Sequence, residues 1–146
     1  MYKRQILNNE QAKKLVKEAI NARNFAYAPY SNFLVGAALL TKLGKIYTGC
    51  NIESAVYTPT CCAERTAFFK AVSEGERNFE AIAVVGGKVD EEIQKNCPPC
   101  GVCLQVMTEF CNPHEFEIIL AKSLGNFEIF KLKDLLPIAF CNENLN

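Results

Sequence analysis

Two short stretches of this chain hold the residues best suited to chemistry: Cys97-Pro98-Pro99-Cys100-Gly101-Val102-Cys103, and Cys61-Cys62-Ala63-Glu64 some 35 residues upstream. Eight cysteines occur in all, at positions 50, 61, 62, 97, 100, 103, 111 and 141, against a single histidine, His114. Thiolates are good zinc ligands, and with one histidine available any zinc site must be built almost wholly from sulfur. His114 follows Pro113 in a loop-like stretch and is expected on the surface. A disulfide framework is the other use of many cysteines, but a 146-residue chain can form a core without such staples. The opening stretch MYKRQILNNEQAKK holds no apolar run of the kind that leads a chain to secretion, so a reducing cytosolic setting is expected. Metal ligation or reactive thiols are therefore the better use of these cysteines.

The elements that must position them follow from periodicity. Ala12, Leu15, Val16, Ala19 and Ala22 repeat at helical spacing, predicting an amphipathic helix from Asn9, its cap, to about Phe25. Phe33–Thr41 and Lys45–Cys50 read as a β-hairpin around Leu43-Gly44, and residues 51–59 as loop. Residues 62–74 have helix-forming composition and stop at Gly75. Glu80–Val85 reads as a strand and 86–99 as a polar connection. A helix over 100–110 follows the Pro-Pro pair, then strands at 116–121 and 127–130 and a short helix at 132–136. Strands alternating with helices imply a layered α/β sheet in one domain over 1–146.

Cys62 and the Cys100/Cys103 pair both fall at predicted helix N-termini, where free N–H groups and the helix dipole favour thiolate over thiol. Two such ends facing each other would make a three-thiolate pocket. Three protein ligands on zinc leave a fourth position open, which is the catalytic rather than the structural pattern. Glu64 follows Cys62 by two residues, and such positions on a regular helix do not share a face. Cys62 must therefore sit at or before the first turn for Glu64 to reach the same place, where it can accept a proton from water and deliver it elsewhere.

Cys62-Ala63-Glu64-Arg65 followed by Pro99-Cys100-Gly101-x-Cys103 resembles the small, homotetrameric, zinc-dependent cytidine deaminases. The resemblance extends to Tyr27-Ala28-Pro29-Tyr30-Ser31, Phe33, Val35–Leu39, Gly49–Glu53, Gln105-Val106 and Leu135-Leu136-Pro137-x-Ala139-Phe140. It implies a three-layer α/β/α sandwich around a five-stranded mixed sheet, one Zn²⁺ per chain on Cys62, Cys100 and Cys103, and hydrolysis of cytidine and deoxycytidine to the uracil nucleoside and ammonia in pyrimidine salvage. It further implies that Glu64 shuttles protons, that Asn51 and Glu53 clamp the ribose and that Phe33 packs on the base. Ala63 would line the substrate site, Arg65 would lie against the ligating sulfurs, and Phe140 would enter a neighbouring subunit's site. The residue after the second helix cysteine is commonly Arg in this family; here it is Leu104, which bears on the electrostatic tuning of the metal.

Other readings fit less of the sequence. An iron–sulfur run starting at Cys97 would need a further cysteine three residues after Cys103, where Val106-Met107 stands. A closed four-cysteine zinc using Cys97 or Cys61 would be a structural module and leaves Glu64 and Asn51-x-Glu53 without a purpose. Cys50, Cys111 and Cys141 are expected to be packing residues. A deaminase of another nucleoside or of a nucleoside-like antibiotic is the enzymatic alternative. Lys plus Arg and Asp plus Glu both number 16, so a nucleic-acid partner is not expected. The one local excess, six basic residues against two acidic ones in the first 23, is expected to be a solvated helix face. The longest unbroken apolar run, Phe33 to Leu40, is 8 residues, too short for a membrane span of about 20.

Overall fold

The computed structural model describes residues 7–146. Elements follow in the order α1 (Asn9–Arg23), β1 (Phe33–Thr41), β2 (Ile46–Cys50), α2 (Ala63–Ser73), β3 (Phe79–Lys88), α3 (Gly101–Phe110), β4 (Glu117–Ser123), β5 (Asn126–Lys131) and α4 (Leu132–Leu135), with a final 3-10 turn at Asn142–Leu145. The five strands form one mixed sheet in the order β2-β1-β3-β4-β5. Only β3 and β4 run parallel, joined by a crossover that contains α3; the other pairs are antiparallel.

Each face of the sheet buries its own cluster. Leu15, Val16 and Ala19 of α1 pack with Ala38, Ala83, Val85 and Ile119 on one face. On the other, Ala67 and Phe68 of α2 and Cys103, Leu104 and Met107 of α3 pack with Leu39, Ile82, Val84 and Ile118. The result is the expected three-layer sandwich. Strands buried on both faces carry near-continuous apolar sequence, which accounts for Val35–Leu40 and Ala81–Val85.

Some boundaries differ from the sequence reading. The first helix is capped by Asn8 rather than Asn9: the Asn8 side chain accepts from the Gln11 N–H while the Gln11 side chain accepts from the Asn8 N–H. It ends at Arg23, two residues short of Phe25. Strand β3 runs three residues past Val85, through Gly86 and Gly87, because it pairs with β1 along its whole length, Phe33 opposite Lys88. Of the N-terminal basic cluster, Lys3 and Arg4 lie outside the described residues; Lys13, Lys14 and Lys17 are exposed on α1 as expected, whereas Arg23 is half-buried and donates to the Leu34, Gly87 and Lys88 carbonyls rather than facing solvent. No helix of the described residues is long and apolar enough to cross a membrane.

Candidate active site

Cys62 and Cys100 are the N-cap residues of α2 and α3, both with extended backbone and neither with a side-chain capping bond. The first-turn N–H groups behind them lack a side-chain partner and present a positive helix end to the sulfurs. Cys62 thus stands before the first turn, where Glu64 can join it. Gly49 of β2 allows α2 to sit this close to the sheet: a Cβ there would lie 2.4 Å from the Ala63 carbonyl oxygen and 2.6 Å from the Ala67 nitrogen.

The sulfurs of Cys62, Cys100 and Cys103 lie within 4.8 Å of one another, the one such cluster of potential ligands among the described residues. Cys62 to Cys100 and Cys100 to Cys103 are both 3.7 Å. Ligands at about 2.3 Å around a tetrahedral zinc are about 3.8 Å apart, so the spacing fits the ion. Cys97 and Cys61 do not join the cluster, so the set stops at three. Without a metal the Cys62 thiol is pulled down to about 5, first by a hydrogen bond with Cys103 and then by Arg65 and Cys100, against the opposing effect of burial. Cys103, 1% exposed, is pushed up by that same bond and by burial. Arg65 Nη2 donates to Cys62 Sγ at 3.5 Å, placing a fixed cation against the sulfurs; its Nε is buried and has no partner among the described residues.

Glu64 is 3% exposed. Burial pushes its carboxyl up to about 7, and the negative charge of Cys62 adds to the rise. A carboxyl poised near neutrality can both take and return a proton. Ala63 beside it is fully buried.

Asn51 and Glu53 belong to a segment stitched on two sides. Tyr27 and Glu53 N–H donate to the Asn51 and Tyr27 carbonyls, and Ile52 exchanges both backbone bonds with Cys61, the residue before the first thiol of the cluster. The predicted loop over 51–59 therefore contains ladder pairing at its start. The Asn51 side chain already has two partners: Oδ1 accepts from Val35 N–H at 2.9 Å and Nδ2 donates to Phe33 O at 2.8 Å. The Glu53 carboxylate accepts from the N–H groups of Tyr30 and Ser31 and from the Ser31 hydroxyl. The Ser31 hydroxyl bond, ahead of burial, holds the Glu53 carboxyl below its usual range. Glu53 lines a hollow of about 380 Å³ with Tyr30, Ser31, Ser54, Tyr57 and Thr60. The half-buried Phe33 opens β1.

Sequence reasoning missed two contributors. Ser31 was visible only as part of the 27–31 stretch. Cys97, which the sequence offers as a fourth ligand or as the start of an iron–sulfur run, is neither: it is half-buried beside the cluster, where burial, then the charges of Glu64, Cys62 and Cys100, push its thiol up to about 12. Leu104 is 7% exposed and packs in the core. Phe140 lies on the C-terminal segment, 62% exposed, its carbonyl accepting from Gln105 Nε2 at 2.6 Å. His114 is exposed and Cys111 buried, as expected, whereas Cys50 and Cys141 are only partly buried.

Residues 9–116 match the family model described as the cytidine and deoxycytidylate deaminase zinc-binding region. A cytidine deaminase of Sporosarcina psychrophila is 50% identical over 133 residues, 91% of this chain and 93% of that protein. The crystal structure of cytidine deaminase from Burkholderia pseudomallei superposes with a TM-score of 0.79 at 48% identity, covering 87% of this chain and 97% of that one. A blasticidin-S deaminase of Bacillus cereus is more distant, 30% identical over 109 residues, 73% of this chain and 76% of that protein.

Proposed function

The chain belongs to the cytidine and deoxycytidylate deaminase family, and from that premise we propose that it hydrolyses cytidine and deoxycytidine to uridine and deoxyuridine with release of ammonia. The observation that carries the reading is the buried Glu64 carboxyl set beside a three-sulfur cluster of zinc-ligand spacing. Identity of 50% to a cytidine deaminase, against 30% to an antibiotic deaminase, favours the pyrimidine nucleoside.

Cys62, Cys100 and Cys103 would hold one zinc ion, which supplies Lewis-acid activation of a water molecule. As a water oxygen adds to C4 of the base, Glu64 takes the water's proton and hands it to N3. C4 is then tetrahedral, bearing hydroxyl and amino groups. Glu64 next takes the hydroxyl proton and gives it to the amino nitrogen; the C4–N bond breaks, the C4 carbonyl forms, and ammonia leaves. Arg65 keeps the sulfurs ionised by charge and hydrogen bond. Phe33 packs on the base, Ala63 borders it, and Asn51 and Glu53 orient the sugar with the bonding capacity their backbone partners leave free. The exposed Phe140 is suited to completing a neighbouring subunit's site, making the active form a homotetramer, and the reaction serves cytoplasmic pyrimidine salvage.

The test is metal analysis and a cytidine absorbance assay on one preparation of wild type and Glu64→Gln. About one zinc per chain is expected in both, with the variant slower by about 10⁴-fold or more, since two roles each worth about 10²–10⁴ are lost. A variant that turns over cytidine normally would overturn the assignment. Free cytosine is expected to be a poor substrate, because it leaves the sugar-facing polar groups unpaired.

A further inference from the structure

Gly86 lies in β3 opposite Val35 of β1, beneath the half-buried Phe33 ring. A Cβ at Gly86 would stand 2.8 Å from Cys97 Sγ, 2.9 Å from Cys97 Cβ and 3.1 Å from Phe33 Cε1. Cys97 and Phe33 therefore meet over a bare Cα, in space that any other residue at 86 would fill. We propose that Gly86 and Cys97 act as a positioning pair that seats the Phe33 ring, and so set how the base is held. The inference rests on the reading of Phe33 as the residue that packs on the base.

The backbone around this contact cannot easily give way. Arg23 Nε donates to Leu34 O at 2.9 Å, and its Nη2 donates to Gly87 O at 2.8 Å and Lys88 O at 3.2 Å, tying the start of β1 to the end of β3. Asn51 holds the Phe33 carbonyl and the Val35 N–H from the other side. Phe33 pairs with Lys88, and Leu34 with Gly87, in the same ladder. With both strands pinned, crowding at position 86 discharges into the two side chains, displacing the Phe33 ring and Cys97. Cys97 is close enough to that centre for the charges of Glu64, Cys62 and Cys100 to act on it. A shift of Cys97 or Phe33 thus changes the shape of the space beside the cluster without touching a proposed metal ligand.

The experiment compares zinc-loaded wild type, Gly86→Ala, Cys97→Ala, the Gly86→Ala/Cys97→Gly double variant and Phe33→Ala, measuring kcat and KM for cytidine separately together with zinc content. Overpacking by one methyl is expected to raise KM about tenfold or more in Gly86→Ala, with kcat within about threefold and zinc unchanged. Cys97→Ala, which removes the sulfur that shares the space over Gly86 with the ring edge, should raise KM by a smaller factor. In the double variant both the sulfur and the Cβ of residue 97 are gone, so the new methyl has room and KM should fall back toward wild type, a rescue that general destabilisation does not produce. If Phe33→Ala raises KM while Gly86→Ala and Cys97→Ala leave it unchanged, the positioning pair is overturned and the base-packing reading stands. If Phe33→Ala itself leaves KM unchanged, both fall. Should Gly86→Ala fail to fold, Cys97→Ala alone decides: an unaltered KM refutes the inference and a raised one supports it.

Discussion

Replacing Asn51 by Ala separates two roles that the structure assigns to one side chain. A pure sugar clamp would lose substrate affinity and nothing else. Here the amide also bridges Val35 N–H and Phe33 O at 2.9 and 2.8 Å, so its removal leaves one backbone donor and one acceptor of β1 without partners. An unsatisfied buried group costs about 1–3 kcal/mol; with Asn51 half-buried, the lower end applies, giving about 2 kcal/mol for the pair. In a domain of this size that lowers Tm by about 4–8 °C. Asn51→Asp is the informative partner: it keeps an acceptor for Val35 N–H but sets an oxygen against the Phe33 carbonyl. Thermal unfolding of the zinc-loaded proteins, followed alongside kcat and KM for cytidine, should show both variants melting lower and binding more weakly. Variants with raised KM and a Tm within about 1 °C of wild type would refute the bridging argument and leave the sugar clamp alone.

Three further outcomes are expected. Leu104→Arg should lose at least about 3 kcal/mol in denaturant unfolding, because a 7%-exposed core leucine is replaced by an unpaired charge; undiminished stability with a lowered acid limb of the kcat/KM profile would instead make position 104 an electrostatic one. Lys131→Met should cost about 3–5 kcal/mol by stranding Glu117, 3% exposed and 3.1 Å from Lys131 Nζ, and most of the loss should be recovered in Lys131→Met/Glu117→Gln; equal stabilities for the single and double variants would contradict this. Truncation before Pro137 should lower both activity and assembly, whereas a fully active monomer by sedimentation would contradict a shared site.

Local signals made most of the elements legible, and long-range pairing accounts for what they missed. The helical repeat of Ala12, Leu15, Val16 and Ala19 and the apolar runs of β1 and β3 were readable because each buries a face whose period is set by the element itself. Gly86-Gly87 read as the start of the connection after β3 because glycine is depleted in strands; the antiparallel match of Phe33 to Lys88 overrides that preference. The pairing of Ile52 with Cys61 and Tyr27 spans turns that no periodicity announces. At the candidate site, residue types and the helix-start argument brought out Cys62, Glu64, Cys100 and Cys103. The proximity of Cys97 was hidden because it depends on where the connection after Lys88 returns to the sheet, and no residue within that segment marks the place.

The three clustered sulfurs come from two helix starts, Cys62 and Cys100 being 38 positions apart with the whole of β3 between them. A metal bound there is also a cross-link, one that closes a loop of chain holding α2, β3 and the connection to α3. Tying an unfolded chain at two points this far apart removes conformational freedom worth about 4 kcal/mol by loop-closure reckoning. The centre is thus also a clasp: the ion that equips the protein for its reaction would hold α2 and α3 in their seats, and a chain that loses it would first loosen where those two helices meet.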